Sequence, residues 1–215
     1  MNTAAIVPAY NEEKTIGAVI DVLTGCSLID QVIVVSDGST DRTVRVALGF
    51  ENIEVIELLE NRGKGGAIKA GMDHTDAKVL LFLDADLIGL KQAHITALLQ
   101  PVLREQAAMT IGVFEKGRVA TDIAQKMAPF LSGQRALKRE LLEQISDFDL
   151  SRFGAEVALH HYVEEQNLPV LQVALPDLSH MLKEEKMGFW KGISARGKMY
   201  WEIIKYAVKI NPHPK

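Results

Sequence analysis

A single cysteine, Cys26, stands in a chain of 215 residues. One thiol cannot build an intramolecular disulfide framework, so the fold must rest on a packed core, and a reducing compartment suits it. No apolar run approaches the roughly 18–20 residues that a membrane-spanning helix needs. An apolar strand begins by Ala4, which leaves no space for the charged start and apolar centre of a secretory leader. The expectation is a soluble, cytoplasmic protein. Neither an internal repeat nor a low-complexity tract is visible. Two familiar phosphate-binding loops are missing as well. A Walker loop ending at Lys64 would need Gly at position 58 and Ser or Thr at position 65, where Leu58 and Gly65 stand. A dinucleotide fingerprint starting at Gly63 would need Gly at position 68, which is Ile68, and it should follow the first strand.

What is present is enough apolar material for one domain: hydrophobic residues make up 47% of the chain and charged residues 24%. The net charge of −4 conceals an asymmetry. From Lys186 to Lys215 there are seven Lys or Arg against the single acid Glu202, so this tail carries +6 and the remainder −10. Between about Ile193 and Ile210 the tail is also amphipathic, with Met199/Tyr200, Ile203/Ile204 and Ala207/Val208 on one stripe. Two readings fit: a helix meeting phosphate or an anionic membrane, or a solvated face that neutralises an acidic body. The boundaries expected are a catalytic domain over 1–185, with halves at 1–90 and 91–185, and a basic helical extension over 186–215.

The rest of the chain is organised around Val79-Leu80-Leu81-Phe82-Leu83-Asp84-Ala85-Asp86-Leu87. Five apolar residues in a row predict a strand buried on both faces. It runs straight into two carboxylates at i and i+2, which at a strand end approach one point. Ionised acids so placed repel each other and lose hydration. A hard divalent cation would compensate, because Mg²⁺ or Mn²⁺ favours carboxylate oxygen and keeps positions open for phosphate; a strand that ends in two solvated turn residues is the alternative.

Around that strand, Thr3 to Pro8, Gln31 to Val35 and Ile53 to Leu58 also read as apolar strands. Helical stripes separate them: Ile16, Val19, Ile20 and Leu23; then Val44, Ala47 and Leu48 behind a Thr40 cap; then Ala67 to Met72 after a flexible loop, Asn61 to Gly66. Strands alternating with helices imply a parallel, doubly wound sheet with ligands at the carboxyl ends of its strands. Every polar cluster of the first half falls at such an end. Gly63 to Gly66, with Arg62 and Lys64, offers backbone amides and two cations to a phosphate. Further on, Ala93 to Leu103 predicts a helix and Ala107 to Phe114 a strand. Ser132-Gly133-Gln134-Arg135 then leads into a helix through Leu137, Leu141 and Ile145. Gly154 to Val163 reads as helix, Pro169 to Leu175 as strand, and Ser179-His180 as the start of a charged loop. Arg118, in a Gly117-Arg118 loop, and Arg135, beside Ser132-Gly133, offer two guanidiniums whose planar forks match phosphate or carboxylate oxygens. Pairing with local acids such as Glu115 and Glu140 is the alternative.

Taken in order, Pro8-Ala9-Tyr10-Asn11-Glu12-Glu13, Val35-Ser36-Asp37-Gly38-Ser39-Thr40-Asp41, Gly63-Lys64-Gly65 and Asp84-Ala85-Asp86 resemble the GT-A glycosyltransferases of the family 2 type. The second half adds a likeness to the glucosyl-3-phosphoglycerate synthases, in Gly117-Arg118-Val119, Leu131-Ser132-Gly133-Gln134-Arg135-Ala136, Gly154-Ala155-Glu156 and His180. The polyprenyl-phosphate sugar transferases are a neighbouring likeness.

The resemblance implies a GT-A fold and transfer of a sugar from a UDP- or GDP-linked donor, with Mg²⁺ or Mn²⁺, to a phosphorylated acceptor, either phosphoglycerate-like or polyprenyl phosphate. It implies that Pro8, Ala9, Tyr10, Asn11 and Glu12 line the nucleobase and ribose pocket and that Asp37, next to Gly38, bonds base or ribose. Lys64 would meet base or diphosphate. Asp84, with Ala85, would face ribose or donor sugar, and Asp86 and His180 would hold the metal. Glu156 would bind the donor sugar or act as base. Arg118, Ser132, Gly133 and Arg135 would take the acceptor. A sugar-phosphate nucleotidyltransferase and a non-catalytic sugar-nucleotide binding module are the rival readings. No nucleic acid partner is expected; a homodimer and peripheral contact of the tail with a membrane stay open.

Overall fold

A computed structural model describes residues 2–114, 132–144, 159 and 162–181. Strands β1 (Thr3–Ala9), β2 (Gln31–Asp37), β3 (Glu54–Leu58) and β4 (Val79–Phe82) alternate with helices α1 (Ile16–Thr24), α2 (Thr43–Ala47) and α3 (Gly63–Met72). The short β5 (Leu87–Ile88), α4 (Gln92–Leu103), β6 (Met109–Phe114), β7 (Arg135–Lys138), α5 (Arg139–Glu143), β8 (Val170–Leu175) and β9 (Ser179–His180) follow. Seven strands form one sheet in the order β3-β2-β1-β4-β7-β6-β8, and β5 pairs with β9 in a separate ribbon. The chain divides into two compact units, Met1–Ser179 and His180–Lys215. Of the second, only His180 and Met181 are described.

The first four strands pair in parallel, with Ile6 opposite Ile33 on one side and Phe82 on the other. Strand order reverses between β1 and β4, which opens a crevice at their carboxyl ends. β7 runs antiparallel to both β4 and β6, with Phe82 opposite Arg135. A reversed strand begins where its parallel neighbour ends. The residues entering β7 are thereby delivered to the carboxyl end of β4.

Because side chains alternate along a strand, each central strand serves two cores. Ala5, Val7, Val79, Leu81 and Leu83 face Ile16, Val19, Ile20 and Leu23 of α1 and Ile95, Leu98 and Leu99 of α4. Ala4, Ile6, Leu80 and Phe82 face Ala67 and Ile68 of α3 and Leu141 and Leu142 of α5. The doubly buried character read from the five apolar residues at 79–83 is the observed one.

Four local expectations are corrected. The segment through Leu137 is strand β7, and only Arg139–Glu143 is helical. Helix α3 starts at Gly63, so the glycine-rich stretch forms its first turn instead of a flexible loop. Thr40 does not cap α2; the Asp41 carboxylate accepts from the Thr43 amide at 2.9 Å. Ser179-His180 is strand β9. The amphipathic tail, and Gly154 to 158 of the expected later helix, lie outside the described residues. Among the described residues no helix is long and apolar enough to cross a membrane.

Candidate active site

The carboxyl end of β1 turns into a segment stitched to the loop after β2. Asn11 takes the left-handed conformation, φ 56°, which suits an Asn in a sharp turn. Its Oδ1 accepts from the Thr40 amide at 2.8 Å, while its own amide donates to Ser39 Oγ at 3.1 Å. The Glu12 amide donates to Thr43 Oγ1 at 2.8 Å, and that of Glu13 to Asp41 Oδ2 at 3.1 Å. Arg42 Nε meets Glu13 Oε2 at 3.0 Å, and the side-chain hydrogen bond from Arg42 holds the Glu13 carboxyl below its ordinary value. Burial acts to raise Asp41, but hydrogen bonds from the side chain and backbone of Thr43 outweigh it and leave this carboxyl lowered too. Tyr10, half exposed, is left projecting beside this framework.

At the end of β2, Asp37 is buried and its Oδ1 accepts from the Arg62 amide at 2.7 Å. Asn61 Nδ2 donates to the Asp37 carbonyl at 3.1 Å. Gly38 has φ +70°, and a Cβ there would lie 2.9 Å from the Asn61 amide nitrogen, so no other residue allows this approach of the two loops. The carboxylate thus fixes the entry to α3, and with it the base of Lys64.

The chemistry concentrates beyond β4. Asp84 and Asp86 are half-buried, with Ala85 buried between them. Lys64 Nζ lies 2.6 Å from Asp84 Oδ1, and Gln134 Nε2 donates to Asp84 Oδ2 at 2.7 Å. Gly133 passes so close that a Cβ on it would sit 2.5 and 2.6 Å from the two Asp84 oxygens and nearer still to Lys64 Nζ. Strand β5 begins one residue after Asp86 and carries β9 as its partner. Asp84, Asp86 and His180 each offer a ligand atom, and those atoms lie within 4.8 Å of one another. Two carboxylates and an imidazole are a donor set that fits Mn²⁺ well; Mg²⁺ takes the carboxylates and accepts imidazole less readily.

Of the residues expected from sequence, Pro8, Ala9 and Tyr10 stand at the end of β1, Asn11 and Glu12 follow it, and Asp37 and Gly38 lie at the end of β2. Lys64, Asp84, Asp86, Gly133 and His180 come together. Ser132 lies in the same approach to β7, its Oγ donating to Gln134 Oε1 at 3.0 Å. Arg135 is buried and its Nη2 donates to the Ser132 carbonyl at 2.5 Å. Arg118 and Glu156 lie outside the described residues. Gln134, fully buried and bonded to Asp84, stands in the Leu131–Ala136 motif but received no role from sequence, because an amide carries no charge signal and its contact spans 50 positions.

Residues 4–158 match Glycosyl transferase family 2. The chain belongs to that family. Among relatives, it is 44% identical over 101 residues to the dolichyl-phosphate beta-glucosyltransferase of Drosophila melanogaster, an alignment covering 40% of this chain and 31% of that protein. It is 35% identical over 98 residues to the 4,4'-diaponeurosporenoate glycosyltransferase of Staphylococcus aureus (strain USA300), covering 44% of this chain and 26% of the other. The chain therefore spans about a third or less of the length of these curated relatives. Its fold is similar to that of glucosyl-3-phosphoglycerate synthase from Mycobacterium tuberculosis in complex with Mn²⁺, UDP-glucose and phosphoglyceric acid. That likeness has a TM-score of 0.81 at 25% identity and covers 100% of this chain and 81% of that one. The doubly wound sheet with a reversed strand beside β4 is thus the GT-A arrangement of this family.

Proposed function

We propose that this family 2 chain transfers a sugar from a UDP-sugar to an acceptor that bears a phosphate, with a divalent metal at the end of β4. The observation that carries the reading is the convergence of Asp84, Asp86 and His180 beside Lys64 at the crevice where strand order reverses. The carboxyl ends of β1 and β2 and the turn after β1 supply Pro8 to Glu12 and Asp37 for base and ribose. Support for uridine and for Mn²⁺ or Mg²⁺ comes from the similar synthase, whose complexes hold UDP-glucose with Mn²⁺ and UDP with Mg²⁺.

When bound, the metal neutralises charge that develops on the departing diphosphate. The remaining work falls to side chains. Lys64 brings a cation to the same oxygens from the first turn of α3. Asp84 holds a sugar or ribose hydroxyl in the orientation that Gln134 and Lys64 give it. The bond from the anomeric carbon to the β-phosphate oxygen breaks, and one to an acceptor oxygen forms. If that oxygen belongs to a phosphate monoester it is already anionic at neutral pH and needs no base; if it belongs to a hydroxyl, Glu156 takes the proton. Arg118 and Arg135, with Ser132 and Gly133, are assigned to the acceptor anion. The relatives named for dolichyl phosphate and the synthase named for phosphoglycerate share this anionic chemistry.

The test is transfer from labelled UDP-glucose with Mn²⁺, offered polyprenyl phosphate in one arm and 3-phosphoglycerate in the other. The reading predicts product in one arm, abolished by chelator. Equal transfer to a neutral sugar, or release of pyrophosphate from UTP and a sugar phosphate, would overturn it.

A further inference from the structure

The Asp84 carboxylate is held from two sides by very different groups. Lys64 reaches Oδ1 from the end of a flexible, part-exposed side chain. Gln134 reaches Oδ2 from a position with no solvent exposure, and it is itself tethered at both ends of its amide. Its oxygen accepts the Ser132 hydroxyl at 3.0 Å, and its backbone carbonyl accepts from the Gly112 amide at 2.8 Å. The orientation of the amide is forced. A carboxylate only accepts, so the NH₂ must face Asp84 and the oxygen must face Ser132. Space for the side chain comes from Gly112, where a Cβ would press against Gln134 Cβ at 3.1 Å and more closely against Leu175.

Charge separates the two partners further. Lys64 neutralises Asp84, and a divalent cation entering beside Asp86 and His180 repels an ammonium 2.6 Å from Oδ1. Lys64 is therefore the exchangeable partner, the one that would turn toward a diphosphate. A neutral amide fixes the carboxylate without lowering its negative charge, and it has no reason to leave when the metal arrives. Outer partners of this kind set the direction of a carboxylate's remaining lone pairs. The same glutamine touches Ser132, in the loop assigned to the acceptor, so one buried side chain joins the two halves of the site.

We infer that Gln134 is the positioning residue of this site: its amide fixes Asp84 for the metal-bound diphosphate donor and ties that carboxylate to the Ser132-Gly133 loop. The inference rests on the reading of the site as a metal-dependent UDP-sugar site. Gln134→Met preserves length and volume while removing both hydrogen bonds. The experiment is calorimetric titration of UDP into the protein with Mn²⁺ and, separately, with chelator. The wild type should bind more tightly with Mn²⁺, and if it does not, the reading of the site fails and takes this inference with it. In Gln134→Met the affinity with Mn²⁺ should fall about 10- to 100-fold, as for other outer-shell partners. Affinity with chelator should stay within about two-fold of wild type, because the contacts assigned to Pro8–Glu12 and Asp37 do not involve Gln134. Ser132→Ala, which frees the amide oxygen and the Gln134 backbone amide but leaves the bond to Asp84, should lose a few-fold in the Mn²⁺ arm alone, and it carries the test if Gln134→Met does not fold. Equal loss in both arms, or wild-type affinity in the Mn²⁺ arm of the folded variants, would overturn the inference while leaving the metal site standing.

Discussion

Replacing Gly133 by Ala is a one-methyl perturbation whose consequences follow from distances. Gly133 has no left-handed backbone conformation to lose, so the substitution carries no torsional penalty and acts through space alone. The added Cβ would stand 2.5 and 2.6 Å from the Asp84 oxygens, inside the 3.0 Å that real Cβ contacts respect. Lys64 Nζ, closer still, ends a flexible chain and swings away at little cost. Asp84 cannot follow it without stretching its 2.7 Å bond to Gln134. Overpacking of this kind costs about 1–3 kcal/mol. The charge-assisted Lys64–Asp84 bond is worth roughly 1.5–3 kcal/mol when buried and sits at or below the low end here, with side-chain exposures of 31% and 21%. A net loss of about 1–2 kcal/mol lowers the thermal midpoint by roughly 2–8 °C for a chain of this size. The functional loss is larger. A shift near 1 Å in a positioned group costs about 100-fold in turnover. Thermal scans paired with UDP-glucose transfer assays therefore give the signature: a modest stability loss with a hundred-fold fall in kcat/KM. Wild-type melting and wild-type turnover together would refute the geometry at the end of β4.

Asp37→Asn keeps the shape but weakens the 2.7 Å acceptance from the Arg62 amide that anchors α3. UDP affinity by calorimetry should fall at least about ten-fold, in line with losing a charge-assisted bond of roughly 1.5–3 kcal/mol; unchanged affinity would remove Asp37 from the donor pocket. Asp41 has a folded-state pKa below its ordinary 3.8, so it stabilises the fold above that pH and loses the contribution as pH falls through the lowered value. Urea midpoints should therefore drop more between pH 5 and pH 3 in wild type than in Asp41→Asn, and parallel drops would show that the Asp41–Thr43 bonds contribute nothing. For the basic tail, salt-sensitive co-sedimentation with anionic liposomes is expected if its stripe meets a membrane; failure to sediment at low salt would assign the stripe to packing within the protein.

The donor half of the fold was legible in the sequence because its signals are local. Short continuous apolar runs along Thr3–Ala9 and Val79–Phe82 announce strands buried on both faces, and the polar clusters at their carboxyl ends announce a site. β7 was not legible. Leu137 and Leu141 are spaced by four, which a helix explains as well as a four-residue strand followed by a helical turn, and only pairing with Val79–Phe82 decides between them. The same non-local pairing hid Gln134, whose role depends on being delivered to Asp84 by a reversed strand. The glycines at 63, 65 and 66 argued for a loop on propensity, yet a helix entry fixed by Asp37 overrides it.

The central claim is that a metal held by Asp86 and His180, beside Asp84, binds the donor diphosphate. Its most direct measurement is the binding of UDP by wild type and by Asp86→Ala, each titrated with and without Mn²⁺. Wild type should gain at least about ten-fold in affinity from Mn²⁺. Asp86→Ala should stay folded, because removing one of two facing carboxylates relieves repulsion, and it should gain nothing from the metal. A folded Asp86→Ala protein that keeps the wild-type gain would contradict the account.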